Sequence, residues 1–110
     1  MERDWVMSDH DSLNKVLYTI IAIDHDDFQN VRADARPTHL KFMESNRDKV
    51  AIAGPFLNDA GESIGSLYVI HASDEAEARD FIESDPYSGA KLFRDIQIRR
   101  WRLVIDNIHG

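Results

Sequence analysis

Val16-Leu17-Tyr18-Thr19-Ile20-Ile21-Ala22-Ile23 is the stretch on which the fold turns. Both of its alternating sets are apolar: Val16, Tyr18, Ile20 and Ala22 on one side, Leu17, Ile21 and Ile23 on the other. Neighbouring side chains of a strand point to opposite faces, so a strand apolar on both is normally covered on both. Helices of the same domain can supply one cover. The second is expected from a partner subunit, which makes a face-to-face homodimer the expectation.

Working outward, Asp24-His25-Asp26-Asp27 breaks the pattern as a turn, and a helix is expected over some or most of residues 29–46. Pro37 belongs in the first turn of a helix and restricts Arg36 before it. The helix therefore either starts near Pro37 or is kinked there, with Leu40 and Met43 as its core face and Phe42 beside them. Val50 to Leu57 reads as a strand interrupted by Gly54-Pro55, and Ile64 to Ala72 as another. The polar turn Asn58 to Glu62 between them makes an antiparallel hairpin. The second helix has Asp74 as N-cap, Glu77 in capping-box position, and Ala78, Phe81 and Ile82 at helical spacing. Asp85-Pro86 ends it, and a short helical turn is expected around Gly89 to Phe93.

The last strand is expected from about Asp95 to Ile105. Its apolar residues are first even-numbered (Ile96, Ile98) and then odd-numbered (Trp101, Leu103, Ile105), which predicts a bulge at Arg99-Arg100. The order β-α-β-β-α-β is that of a ferredoxin-like α+β fold, a four-stranded antiparallel sheet with both helices on one face. The domain is expected over residues 15–106. A polar, acidic leader precedes it at 1–14, and residues 107–110 form a tail.

At 110 residues, of which 43% are hydrophobic, the chain has material for one modest core and not for two. Its 20 acidic residues against 13 basic ones give a net charge of -7, which repels phosphate backbones and argues against nucleic acid. The run Arg99-Arg100-Trp101-Arg102 does not reverse this, because a strand splits it between two faces. With no cysteine, disulfides and thiolate chemistry are excluded. No apolar run approaches the ~20 residues of a membrane-spanning helix. Met1 to Asn14 lacks the basic-then-apolar form of a secretory signal, so a cytoplasmic location is expected.

Among residues that could carry chemistry, Arg32, Arg36 and His39 sit at i, i+4 and i+7, one stripe of a continuous helix. Two guanidiniums beside an imidazole would attract an anionic group. A solvated helix face is the plainer reading. Asp85 stands where the macrodipole of the preceding helix disfavours a negative charge. It either caps a turn or orients a histidine and stabilises its protonated form, the support a general base needs. Ser66 could donate a hydrogen bond to a ligand or satisfy a strand end. Asp24-His25-Asp26-Asp27 lacks the spacing that preorganises a metal, and no metal is expected there. His10, His71 and His109 read as structural or surface residues.

Arg32-x-x-x-Arg36-Pro37-x-His39-Leu40, Ala53-Gly54-Pro55, Gly65-Ser66-Leu67 and Asp85-Pro86-Tyr87 resemble, in order, the motifs of the YCII-related family over roughly residues 15–105. The resemblance implies a dimeric α/β-barrel arrangement and a histidine–aspartate site at His39 and Asp85, with Ser66, Arg36 and Tyr87 nearby. One branch of the family is known for dehydrochlorination of a chlorinated hydroxyquinol. The expectation is thus an enzyme on a small molecule, without metal or organic cofactor. His39 would be its general acid/base, Asp85 would orient it, and Arg36, Ser66, Tyr87 and Arg32 would bind substrate. The alternative is a non-catalytic ligand-binding or assembly module built as a dimer. A monooxygenase of the kind found on related barrels has less support, because shared fold does not transfer function.

Overall fold

The computed structural model describes residues 16–108, so the expected leader at 1–14 lies outside the described residues. The elements are β1 (Val16–Asp24), α1 (Gln29–Ser45), β2 (Val50–Leu57), β3 (Ser63–Ala72), α2 (Glu75–Ser84), α3 (Pro86–Gly89) and β4 (Phe93–Trp101). The strands form one antiparallel sheet in the order β2-β3-β1-β4, a ferredoxin-like arrangement. No helix among the described residues is long and apolar enough to cross a membrane.

The double apolar pattern of β1 sorts as expected. Tyr18, Ile20 and Ala22 pair with Ile70, Tyr68 and Ser66 of β3, and these form the face on which the helices lie. Ala78, Phe81 and Ile82 of α2 complete that core, and Phe42 and Met43 of α1 pack against it. Leu17, Ile21 and Ile23 point to the other face, next to Val69 and Leu67, with Trp101 opposite Leu17.

Gly65 lets β1 and β3 close up beside the future site. A Cβ there would stand 2.7 Å from the carbonyl oxygen of Ala22. Only glycine accepts that approach.

Four local expectations need correction. The ladder between β1 and β4 runs evenly from Leu17↔Trp101 to Ile23↔Asp95, so there is no bulge at Arg99-Arg100. The register shifts instead between Ile23 and Asp24, where Arg94 is passed over. The change of parity in the sequence arises because Trp101 belongs to the opposite sheet face and the strand ends there, leaving Leu103 to Ile105 outside it. Gly54-Pro55 does not interrupt β2, because an edge strand can turn a residue without an N–H to solvent.

The short helix comes earlier than expected, at Pro86–Gly89, because proline suits the first helical position and Asp85 caps it. Leu40 is not in the core but 45% exposed. The inward stripe of α1 runs through Arg32, Ala35, His39, Phe42 and Met43, and Leu40 falls one position off it.

Two helix details bear on the site. Helix α1 is continuous across Pro37. The missing hydrogen bond would have gone to Ala33, and both residues are exposed, so water can serve that carbonyl. At the start of α2, the Asp74 carboxylate accepts from the Glu77 N–H at 2.9 Å. The Glu77 carboxylate accepts in turn from the Ser73 N–H at 2.6 Å, one residue before the cap.

Phe81 joins the two helices to the sheet, with Phe42 and Tyr68 rings at 5.2 and 5.9 Å. Phe81→Ala is expected to lower unfolding free energy by about 3–5 kcal/mol, as read by urea denaturation, because the hole lies between three elements that cannot all collapse into it.

Candidate acid/base site

Asp85 lies between α2 and α3 and is 1% exposed. As N-cap of α3, its carboxylate accepts from the Tyr87 N–H at 2.9 Å. The Tyr68 hydroxyl donates to Oδ2 at 2.7 Å. His39 Nδ1 lies 2.9 and 3.0 Å from the two oxygens. A buried carboxylate needs donors on its lone pairs, and these groups provide them. An ionised carboxylate only accepts, so Nδ1 carries the hydrogen and Nε2 is the ring nitrogen left for other work.

The imidazole is held in plane as well as by its edge. The Tyr87 ring stacks on it at 3.9 Å between centroids and 12° between planes. The Arg32 guanidinium carbon sits 4.7 Å from the centre of that same Tyr87 ring, a cation–π distance. Arg32 is itself fixed by Asp24, with bonds of 2.8 and 3.0 Å to the two carboxylate oxygens. It also donates to Ser66 Oγ at 2.9 Å.

The protonation preferences follow from burial and charge. Burial works against the Arg32 cation, but hydrogen bonding to Asp24 and its charge outweigh this and hold the guanidinium above its usual value. Burial pushes the Tyr68 phenol far up, and the Asp85 charge adds to it, so Tyr68 remains a donor. Tyr87 is also raised by burial, with the Arg32 and Arg36 charges opposing.

These groups border a cavity of about 320 Å³. Arg32, Arg36, His39, Ser66 and Tyr87 supply its polar wall, and Leu40, Met43 and Pro55 part of its apolar one. Arg36 makes no ion pair with a carboxylate among the described residues. The structure thus brings together all six residues singled out in the sequence: five line the cavity, and Asp85 stands behind His39.

It does not gather the Asp24-to-Asp27 run into a cluster. Asp24 turns inward to Arg32, and among the described residues no three His, Asp or Glu side chains assemble as metal ligands. His25 is exposed against Phe28, while His10 and His109 lie outside the described residues.

Two members of the constellation were not singled out in the sequence, Tyr68 and Asp24. Tyr68 had a signal, since it shares strand parity with Ser66 and with the core residue Ile70. The run of acidic residues around Asp24 hid it.

A family model described as the YCII-related domain matches residues 16–102. The chain belongs to the YCII-related family. Among solved structures it is similar to a 5-chloro-2-hydroxyhydroquinone dehydrochlorinase from Burkholderia phenoliruptrix AC1100, determined in complex with 2,5-dihydroxybenzoquinone. The two share 30% identity at a TM-score of 0.72, over 78% of this chain and 93% of that one. A nipsnap family protein of unknown function from Agrobacterium tumefaciens str. C58 matches at 6% identity and a TM-score of 0.53, over 91% and 96% of the two chains. That likeness shows the fold alone. None of the curated proteins matches the chain.

Within this YCII-related chain, the Arg32–Asp24 pair is buried on both sides, at 9% and 4% side-chain exposure. Arg32→Met would leave the Asp24 charge uncompensated and is expected to cost about 3–5 kcal/mol of unfolding free energy. Adding Asp24→Asn should recover part of that loss in the same denaturation assay. A double variant no more stable than Arg32→Met alone would contradict the pairing.

Proposed function

We propose that the chain is a small-molecule enzyme that works without an organic or metal cofactor, with His39 as general acid/base. The single observation that carries this reading is the clamp on His39: Asp85 holds Nδ1 and Tyr87 covers the ring, while the imidazole borders a cavity that Arg36 also lines. A histidine so oriented can take a proton on Nε2 and return it, the requirement for general acid/base catalysis near neutral pH. No serine stands in a nucleophile elbow, which favours proton transfer and elimination over acyl transfer.

The substrate class that fits is a small planar hydroxylated ring that becomes an anion when it loses a proton. Nε2 of His39 would accept a hydroxyl proton, and the freed electron pair would form a ring carbonyl. Arg36 and the Ser66 hydroxyl would hold the resulting oxygen. The imidazolium would then protonate the ring carbon that bears the leaving group, and Nε2, neutral again, would take a second hydroxyl proton. The electron pair freed there would form the second ring carbonyl and a new ring C=C as chloride departs with its bonding electrons. The dehydrochlorinase similarity supports this class, because that enzyme's named substrate and bound quinone are both small hydroxylated rings.

Chloride release from 5-chloro-2-hydroxyhydroquinone tests the proposal. Wild-type protein is expected to turn it over, and His39→Ala to lower the rate by about 10²–10⁴-fold. Turnover that survives His39→Ala would overturn the role of His39. Saturable binding of 2,5-dihydroxybenzoquinone without turnover would favour the ligand-binding module instead.

The reading includes a homodimer, supported by the apolar residues of β1 and β3 on the sheet face opposite the helices. Of these, Ile21, Ile23 and Leu67 are only partly buried within the single chain. Sedimentation is expected to give a dimer at micromolar concentration. A monomer throughout would remove that part of the proposal.

A further inference from the structure

Tyr68 is 1% exposed and does not line the cavity. Its ring meets the His39 ring edge-on with centroids 6.3 Å apart, so it touches the imidazole only weakly. Its hydroxyl is nevertheless aimed at the atom that matters for His39. Oδ2 of Asp85 receives the Tyr68 hydroxyl at 2.7 Å and faces His39 Nδ1 at 3.0 Å. Two donors on one carboxylate oxygen compete, because each draws off charge that the other would use.

We infer that Tyr68 is a positioning residue that acts on His39 through Asp85, taking a share of the carboxylate's charge and so limiting how tightly Asp85 holds the His39 proton. An acid/base histidine must release its proton as readily as it takes it. An undiluted buried carboxylate at Nδ1 would favour the imidazolium too strongly. Burial, with the Asp85 charge adding to it, holds the phenol in its protonated, donating form well above the ordinary range of a tyrosine.

The groups behind it keep it in that role. Ser66 lies beside the phenol, Arg32 donates to Ser66, and Asp24 fixes Arg32. Arg32 can only donate, so the Ser66 hydrogen is free to turn away from it. Among the described residues, the charged and titratable groups around His39 are Asp85 from the α2–α3 junction, Tyr87 from α3, Tyr68 from β3, and Arg32 and Arg36 of its own helix. Of these, Tyr68 is the one that reaches Asp85 with a side-chain hydroxyl.

The test is Tyr68→Phe, read in two ways. In proton NMR, the His39 Hδ1 resonance should move downfield, because Asp85 turns more of its charge toward Nδ1. In the pH–rate profile for chloride release from 5-chloro-2-hydroxyhydroquinone, the acidic limb should move up by about half a unit to one unit, roughly half of what one hydrogen bond to a charged group is worth. Placing 3-fluorotyrosine at position 68 keeps the shape and makes the phenol a stronger donor, so both readouts should move the opposite way. This second substitution also serves if Tyr68→Phe does not fold.

Only the kinetic arm rests on the acid/base reading of His39. If the resonance moves and the protein turns over no chloride, the coupling stands and the proposed reaction falls. An Hδ1 resonance that stays in place in folded Tyr68→Phe, or that moves the same way in both substitutions, would overturn the inference.

Discussion

The constraint on which this structure depends is a carboxylate removed from water. Asp85 is almost wholly buried, and a charge in that position needs a donor for each exposed lone pair. The donors come from three elements: His39 on α1, Tyr68 on β3 and the Tyr87 N–H at the start of α3. Meeting them at one point requires that α1 run unbroken past Pro37, that Tyr68 sit on the helix-covered face, and that α2 stop at Ser84. The chain does all three, and the cavity stands beside the resulting knot.

A second buried pair balances the first. Asp24 and Arg32 compensate each other, and Asp85 faces an imidazole that can be neutral or charged. Arg36, with no carboxylate partner among the described residues, stands on the cavity wall. A protein with a net charge of -7 therefore presents a locally positive recess. Its net charge repels polyanions at a distance, and the recess has the local charge that the proposed substrate, a ring with a single oxyanion, would need. Apolar residues on part of the wall suit the rest of such a ring.

The sequence shows the architecture more readily than the site. The apolar alternation of β1 is a long-range statement about two covers, and the helix spacing of Ala78, Phe81 and Ile82 fixes which face of α2 turns inward. Both depend only on periodicity, which the fold obeys. The parity change near Trp101 misled because both sheet faces accept apolar residues at that end, so alternation no longer labels a face. Leu40 misled for a similar reason: α1 turns polar residues, Arg32 and His39, toward the interior, and hydrophobicity cannot find that stripe. His39 and Asp85, 46 positions apart, could be paired only through their family motifs, since no local spacing records a contact between two helical elements distant in the chain. Tyr68 and Asp24 escaped because a tyrosine in a strand and an aspartate in a turn are ordinary until their partners are known.

With Asp85 accepting at Nδ1, the His39 tautomer that follows leaves Nε2 free for the cavity. Nitrogen-15 chemical shifts of the His39 ring, taken at a pH where the ring is neutral, measure this directly. The hydrogen is expected on Nδ1, with a bare Nε2. A hydrogen resident on Nε2, or an even mixture of the two tautomers, would contradict it.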